Sequence, residues 1–138
     1  MLTVTKLSEN ATVPTKRSKK SAGVTLYSSE DITIASFEKR RVHTDISVKI
    51  PYGAYGKIAS TPNQAADCID VVSEIIDRDY RENITVTIFN ADDTPFQIKK
   101  GDEIGQLICV KVIYPKIRTD KCTGTDSKAE NVRLQTSV

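Results

Sequence analysis

Hydrophobic and polar residues alternate with a period of two over several stretches of this chain. Residues 42–50 place an aliphatic or β-branched residue at every even position and a polar one at every odd position up to 49. Residues 84–88 (ITVTI) repeat the alternation with β-branched residues throughout. A period of two is typical of strands with one buried face, and β-branched residues favour that conformation. Both stretches are therefore predicted to be half-buried strands.

Turn-forming residues separate these strands from further short ones. Strands are predicted at 54–59, at 96–98 and at 104–114, the last expected to be buried on both faces because it is mostly apolar. Residues 62–68 (PNQAADC) fit a brief helix or an irregular turn. Many short strands separated by turns predict an all-β, jelly-roll-like sandwich or barrel. We assign residues 1–117 to this domain and expect the polar, aperiodic residues 118–138 to form a flexible tail.

Composition narrows the possible functions and locations. The chain has 138 residues, with 20 basic against 18 acidic side chains and a net charge of +2, which gives no reason to expect nucleic-acid binding. No apolar stretch is long enough for a membrane helix, and the first residues lack an apolar signal core. We therefore expect a cytoplasmic and/or nuclear protein without a membrane partner. The basic residues 16–20 (KRSKK) fit either a solvated loop or a nuclear signal.

The cysteines and the single histidine exclude several kinds of site. Cys68, Cys109 and Cys122 are odd in number and far apart, which argues against a disulfide framework or a zinc site. With His43 as the one histidine, no metal site built from protein ligands is predicted. The densest chemistry lies in residues 75–81 (IIDRDYR), where two carboxylates would share one face of an extended chain. A charged hairpin end explains the same residues.

Four sequence blocks in this order resemble the trimeric dUTPase family over about residues 6–117. The blocks are residues 22–28 (AGVTLYS), 55–59 (YGKIA), 69–81 (IDVVSEIIDRDYR) and 99–108 (KKGDEIGQLI). The resemblance implies a jelly-roll subunit, a homotrimer, and active sites built between subunits. It also implies roles for three retained side chains. Asp77 would activate the water that attacks the α-phosphate as a general base, Tyr80 would pack on the deoxyribose, and Gln106 would contact the phosphates.

Other positions depart from the family pattern. Thr25 stands where the first motif has an aspartate, and Thr61 and Pro62 replace the arginine and serine of the second. Neither replacement can imitate an arginine clamp on phosphate. Val72 and Glu74 replace glycines of the third motif, where side chains are expected to crowd the uracil. The fifth motif, rich in glycine with a phenylalanine, is absent from residues 127–138.

These departures predict that dUTP hydrolysis has been lost. Removing one donor to developing negative charge costs about 10²–10³ in rate, and several contacts are missing. We expect a non-catalytic binding or regulatory protein, with Asp77, Tyr80 and Gln106 as vestiges and no cofactor. The alternatives are an active or weakly active, Mg²⁺-dependent dUTP diphosphatase and a nucleotide-binding sensor.

The C-terminus suggests one kind of protein partner. Thr136 and Val138 have the spacing of a C-terminal ligand for PDZ domains, which such a peptide binds as an added strand. The adenoviral early-region-four proteins related to dUTPase combine an inactive fold with such a ligand, and this chain is similar to them in that logic. A viral origin is therefore one possibility.

Overall fold

The computed structural model of the chain describes residues 1–122, which form eleven strands and one short helix. The strands are β1 (Thr3–Lys6), β2 (Gly23–Tyr27), β3 (Ile32–Ile34), β4 (Lys39–His43), β5 (Ile46–Lys49), β6 (Ala54–Ala59), β7 (Ile69–Val71), β8 (Glu74–Ile76), β9 (Thr85–Asn90), β10 (Phe96–Ile98) and β11 (Glu103–Lys111). The helix α1 is Pro62–Ala66. No helix in this part of the chain is long and apolar enough to span a membrane.

All strand pairs are antiparallel, and the strands form two larger sheets and two ribbons. The larger sheets have the orders β2-β11-β6-β8 and β4-β9-β7, and the ribbons are β1-β5 and β3-β10. Isoleucine, valine and leucine side chains fill the space that they enclose, among them Leu26, Ile58, Val86 and Leu107. The predicted all-β class and the jelly-roll-like barrel are confirmed.

The alternating stretch 42–50 was predicted to be one strand. In the structure it forms two strands in different parts of the barrel. It breaks at Asp45, which has a positive φ of 54°. The Asp45 carboxylate accepts hydrogen bonds from Ser8 (2.7 Å) and from the Asn83 side chain (2.9 Å), while its N–H donates to Asn83 Oδ1 (2.9 Å). Side-chain bonds thus hold a corner that the alternation does not reveal, because its period continues unchanged across it.

The strand predicted at 104–114 begins and ends earlier and is buried on one face. β11 covers Glu103–Lys111, with Leu107 facing the core and Gln106, Ile108 and Val110 facing outward. Its apolar composition reflects an outer face that carries aliphatic side chains, and not burial on both sides. The strands predicted at 54–59 and 96–98 coincide with β6 and β10, and the brief helix predicted within 62–68 is α1.

Candidate functional site

The outer face of the four-stranded sheet carries the retained side chains of the motifs. Leu107 and Leu26 point into the core, so their neighbours Gln106 and Thr25, which are paired across β11 and β2, point outward. Gln106 is also the register partner of Ala59 at the end of β6. Asp77 lies at the other end of that strand, directly after β8.

Asp77 opens onto a groove with aromatic and aliphatic walls. The groove has a volume of about 740 Å³, within the range of small-molecule sites. The residues that line it are Tyr52, Tyr55, Ile75, Asp77, Arg78, Asp79, Val112 and Tyr114. The Arg78 guanidinium stacks over the Tyr52 ring, 4.7 Å from its centroid, which fixes one wall by a cation–π contact. The groove therefore presents an accessible carboxylate beside apolar surface.

Asp77 and Asp79 were predicted to share one face of an extended chain. In the structure they both line this groove, but a turn brings them there. The Tyr80 N–H donates to the Asp77 carbonyl (3.0 Å), which closes the turn. Tyr80 is half-buried against the core, and its hydroxyl donates to the Asn83 carbonyl (3.2 Å). The phenol is thereby fixed three residues from the carboxylate, outside the groove lining.

Gln106 is held in place by its neighbours on both sides. Its Nε2 donates to the Ser60 carbonyl at 2.9 Å. On the other side, a Cβ at Gly23 would lie 2.9 Å from Gln106 Oε1 and 2.8 Å from the Leu107 carbonyl oxygen. A glycine at this position lets β2 approach the amide closely.

A single chain keeps Asp77 and Gln106 apart. Ile76 pairs with Gly56, whereas Gln106 pairs with Ala59 on the opposite side of β6. Three residues along a strand span about 10 Å, and β8 and β11 are two strand spacings, about 10 Å, apart. The backbones of Asp77 and Gln106 are therefore about 15 Å apart. The structure does not bring all the predicted site residues together within one subunit.

The replaced side chains of the first two motifs are enclosed. Thr25 is 3% exposed although it faces away from the core, and its N–H donates to the Thr15 carbonyl (2.7 Å). Thr61 is also 3% exposed and precedes α1, where its N–H donates to Gln64 Oε1 (2.7 Å). Both threonines thus serve the local structure and present no charge.

Glu74 has a partner in the neighbouring sheet. Its carboxylate accepts a hydrogen bond from the Thr87 hydroxyl at 2.9 Å, and the Val72 N–H donates to the Thr87 carbonyl at 2.9 Å. The Glu74 side chain, which was expected to crowd the uracil, is therefore bonded to β9. These bonds join the segment between β7 and β8 to the three-stranded sheet.

One ion pair on the outer face was missed by the sequence analysis. Arg17 Nη2 lies 2.7 Å from Glu103 Oε2, in a pair that is 86 residues apart in sequence. Arg17 belongs to none of the four motif blocks, Glu103 has no predicted role in its block, and no spacing signal could have joined them. Arg17 and Glu103 become neighbours because Thr15 bridges to Thr25 along the free edge of β2.

Two further predictions concern the C-terminal PDZ ligand and a metal ion. Thr136 and Val138 lie outside the described residues, so the PDZ ligand stays a prediction. Within residues 1–122, no group of three or more His, Cys, Asp or Glu side chains is placed to hold a metal ion.

Comparison with known proteins identifies the family. The dUTPase family model matches residues 9–133. The chain is 47% identical over 113 residues to the deoxyuridine 5'-triphosphate nucleotidohydrolase of Rattus norvegicus and 48% identical over 113 residues to the mitochondrial enzyme of Homo sapiens. These matches cover 81% of this chain, and the chain spans about half the length of the two relatives, 55% and 45%.

A solved structure supports the same fold. A mutant dUTPase from phage phi11 of S. aureus superimposes with a TM-score of 0.82 at 25% identity, covering 89% of this chain and 98% of the phage chain. Its structure is described as revealing how a structural Mg(II) ion is coordinated.

These comparisons overturn the expectation of a non-catalytic protein. Two relatives that share nearly half of the aligned residues are named as dUTP-hydrolysing enzymes; both are mammalian, and the human one is mitochondrial. The positions that depart from the family motifs do not exclude hydrolysis, because Asp77 remains exposed and Glu74 is bonded to Thr87. The pseudoenzyme interpretation was wrong, and the matches, which include mammalian, fowlpox virus and phage proteins, do not establish a viral origin. The dUTPase family model matches most of the chain, and the chain therefore belongs to the dUTPase family.

Proposed function

We propose that this protein hydrolyses dUTP to dUMP and pyrophosphate. The observation that carries the proposal is the accessible Asp77 carboxylate in a nucleotide-sized groove, in a chain that is 47–48% identical to two named dUTP nucleotidohydrolases. The match covers the turn that holds Asp77 and the strand that holds Gln106.

Asp77 acts as the general base in this proposal. A water molecule attacks the α-phosphorus, and the Asp77 carboxylate accepts its proton as the new P–O bond forms. The bond from the α-phosphorus to the bridging oxygen breaks, and pyrophosphate leaves with the electron pair. The turn closed by the Tyr80 N–H holds the carboxylate in position, which lowers the entropic cost of reaching the reactive geometry.

Tyr80 and Gln106 position the two ends of the nucleotide. The Tyr80 ring is fixed by its bond to Asn83 and by the core, so it presents a rigid surface to the sugar. Gln106 Nε2 carries two hydrogens, one of which is donated to Ser60, so the other is free to bond a phosphate oxygen. The roles of Tyr80 and Gln106 are those that the resemblance of their motifs to the dUTPase family implies.

We further propose a homotrimer whose sites join two subunits. The separation of about 15 Å between Asp77 and Gln106 within one chain supports this, because a single triphosphate contact region cannot include both. The outer face between them carries the aliphatic side chains of Ile75, 66% exposed, and Ile108, with Lys57 between them. Covering such a surface by a second copy removes it from water.

Mg²⁺ fits this site as an ion that arrives with the substrate. Mg²⁺ keeps several water ligands and binds through substrate phosphates with one or two carboxylates. Asp77 and Asp79 in one groove match that need, and no all-protein cluster of three ligands occurs within residues 1–122. The ion would neutralise charge on the phosphates.

The C-terminal PDZ ligand and the cellular location stay predictions. Thr136 and Val138 have the required residue types, but the matched relatives do not support a PDZ partner. A cytoplasmic and/or nuclear location is likewise a proposal, since the human relative is mitochondrial.

Pyrophosphate release by the purified chain tests the proposed activity. We expect Mg²⁺-dependent turnover of dUTP, with much slower turnover of dCTP, dTTP and UTP, and loss of turnover on removal of Mg²⁺ by a chelator. Thermal stabilisation by dUTP without product, or no response to any nucleotide, would contradict the proposal.

A further inference from the structure

We propose that Arg17 binds the triphosphate of the substrate and that Glu103 holds this guanidinium in the absence of nucleotide. The inference rests on the proposed function, because it deepens the description of the same site. Arg17 belongs to none of the matched motif blocks. Its position on the outer face carries the argument.

The ion pair reaches Glu103 beside Tyr27, two register positions from Gln106 and Thr25. The segment with Thr15 runs along the free edge of β2, and β11 lies on the other side of β2. The Arg17–Glu103 contact therefore spans β2. Glu103 is the register partner of Tyr27, and Thr15 Oγ1 and the Tyr27 hydroxyl are 2.6 Å apart. These contacts lie on the outer face.

This placement puts a guanidinium next to Gln106. Thr25 lies between the edge segment and Gln106 in the sheet, and it is 3% exposed although it points outward. The Thr15 segment lies beside it, with the Thr15 carbonyl accepting the Thr25 N–H at 2.7 Å. Glu103 and Gln106 pair with Tyr27 and Thr25, two register positions apart on β2 or about 7 Å, so a side chain that already reaches across β2 to Glu103 is within reach of an anion at Gln106.

The charges of the site favour the same assignment. Thr61, where the resemblance expects an arginine, is neutral and enclosed, so the second motif contributes no cation. Arg17 is 41% exposed and lies in the basic loop 16–20. A guanidinium makes bidentate hydrogen bonds to phosphate, which bears more charge than the single carboxylate of Glu103. A triphosphate is therefore expected to displace Glu103 from Arg17.

Binding of a non-hydrolysable imido analogue of dUTP, measured by calorimetry with Mg²⁺, tests this assignment. Arg17→Gln should weaken binding about tenfold, the range of one charge-assisted hydrogen bond at a partly exposed site. Glu103→Gln should strengthen binding, because it releases the guanidinium and removes a negative charge. The double variant should bind like Arg17→Gln alone, since Glu103 acts through Arg17.

A matched ion pair on the other large sheet provides the control. Arg40 and Glu38 are 3.6 Å apart with side chains 45% and 38% exposed. Arg40→Gln and Glu38→Gln change the net charge equally and should leave binding of the analogue unchanged. Deoxyuridine, which lacks phosphates, should bind wild type and Arg17→Gln alike.

The outcomes separate this inference from the proposed activity. Arg17→Gln binding within twofold of wild type, an equal effect of Arg40→Gln, or a parallel loss of deoxyuridine binding would each overturn the role of Arg17. None of these results depends on turnover. A protein that binds the analogue through Arg17 but does not hydrolyse dUTP would support the inference and refute the activity.

Discussion

The two ends of the outer sheet face differ in how their polar groups are satisfied. At the Asp77 end, the carboxylate is exposed in a groove with aromatic and aliphatic walls. At the Gln106 end, the amide is bonded to Ser60 and the nearby guanidinium is bonded to Glu103. One end is open to water and substrate, whereas the other must exchange internal partners for phosphate oxygens.

In the proposed homotrimer, this difference gives the two subunits of each site different tasks. The reactive group sits on a fixed turn, which requires little rearrangement, and the phosphate-binding groups are kept paired until an anion arrives. Exchange of one hydrogen-bond partner for another has a small net free energy, so binding at the second end depends on charge and geometry. Each prediction below tests one part of this contrast.

The largest expected effect comes from the Asp77 end. Asp77→Asn removes the proton acceptor and should lower kcat about 10²–10⁴-fold, the usual contribution of a general base. Binding of the imido analogue should remain close to wild type, because the shape of the turn is kept. Steady-state pyrophosphate release and calorimetry measure the two quantities.

A nearby carboxylate gives the control for this variant. Glu82 is exposed, follows the same turn and lies outside the groove lining, so Glu82→Gln changes the net charge equally without removing the proposed base or a proposed Mg²⁺ carboxylate. Equal losses of kcat in the two variants would contradict the assignment to Asp77.

Mixing two inactive variants tests whether the ends come from different subunits. Gln106→Ala should lower activity about 10²–10³-fold through loss of a phosphate donor. Chains with Asp77→Asn and Gln106→Ala, unfolded together and refolded in equal amounts, should regain about one quarter of wild-type activity, because each site then draws its two halves independently. Activity no higher than the sum of the separate variants would place both halves in one chain.

A smaller effect is expected from crowding the Gln106 end. In Gly23→Ala, the new methyl group would meet the Leu107 carbonyl at 2.8 Å and Gln106 Oε1 at 2.9 Å. The strand must shift, at about 1–3 kcal/mol, and the amide moves with it. The KM for dUTP should rise more than kcat falls. Thermal denaturation measures the stability change.

A matched glycine distinguishes crowding from a general loss of stability. A Cβ at Gly56 would also collide, at 2.8 Å from Ile50 Cδ1, but with core side chains. Gly56→Ala should lower stability without raising the KM. A similar rise in KM for both variants would show that Gln106 is not displaced specifically.

The smallest effect on the site is expected from a change remote from both ends. Hydrogen bonds from the Asn83 and Ser8 side chains hold the pKa of Asp45 below its ordinary value. The carboxylate therefore stabilises the fold above about pH 4, the ordinary value, and this contribution is lost as the pH falls through the lowered pKa. Asp45→Asn should cost about 1 kcal/mol at pH 7 and less at pH 3.

Chemical denaturation at the two pH values measures this change. Glu9→Gln, on the exposed surface, should show no such dependence on pH. Loss of turnover in Asp45→Asn at a pH where the protein is fully folded would mean that the corner is coupled to the site.

The sequence predicts the fold better than it predicts the assembled site. Alternation locates β6 and β10 because each strand stays in one sheet with one buried face. It fails at Asp45, since the corner depends on Ser8 and Asn83, both more than thirty residues away. The motifs predict site roles for Asp77, Tyr80 and Gln106. They predict none for Arg17, because its pairing with Glu103 exists only after β2 and β11 have come together.

An amide in the connection between β7 and β8 can report how often the barrel opens. These strands are separated by two residues yet belong to different sheets, and the Val72 N–H donates to Thr87 on β9. Deuterium uptake at this amide requires the sheets to part at that seam, so its exchange rate measures how often the barrel opens beside the groove.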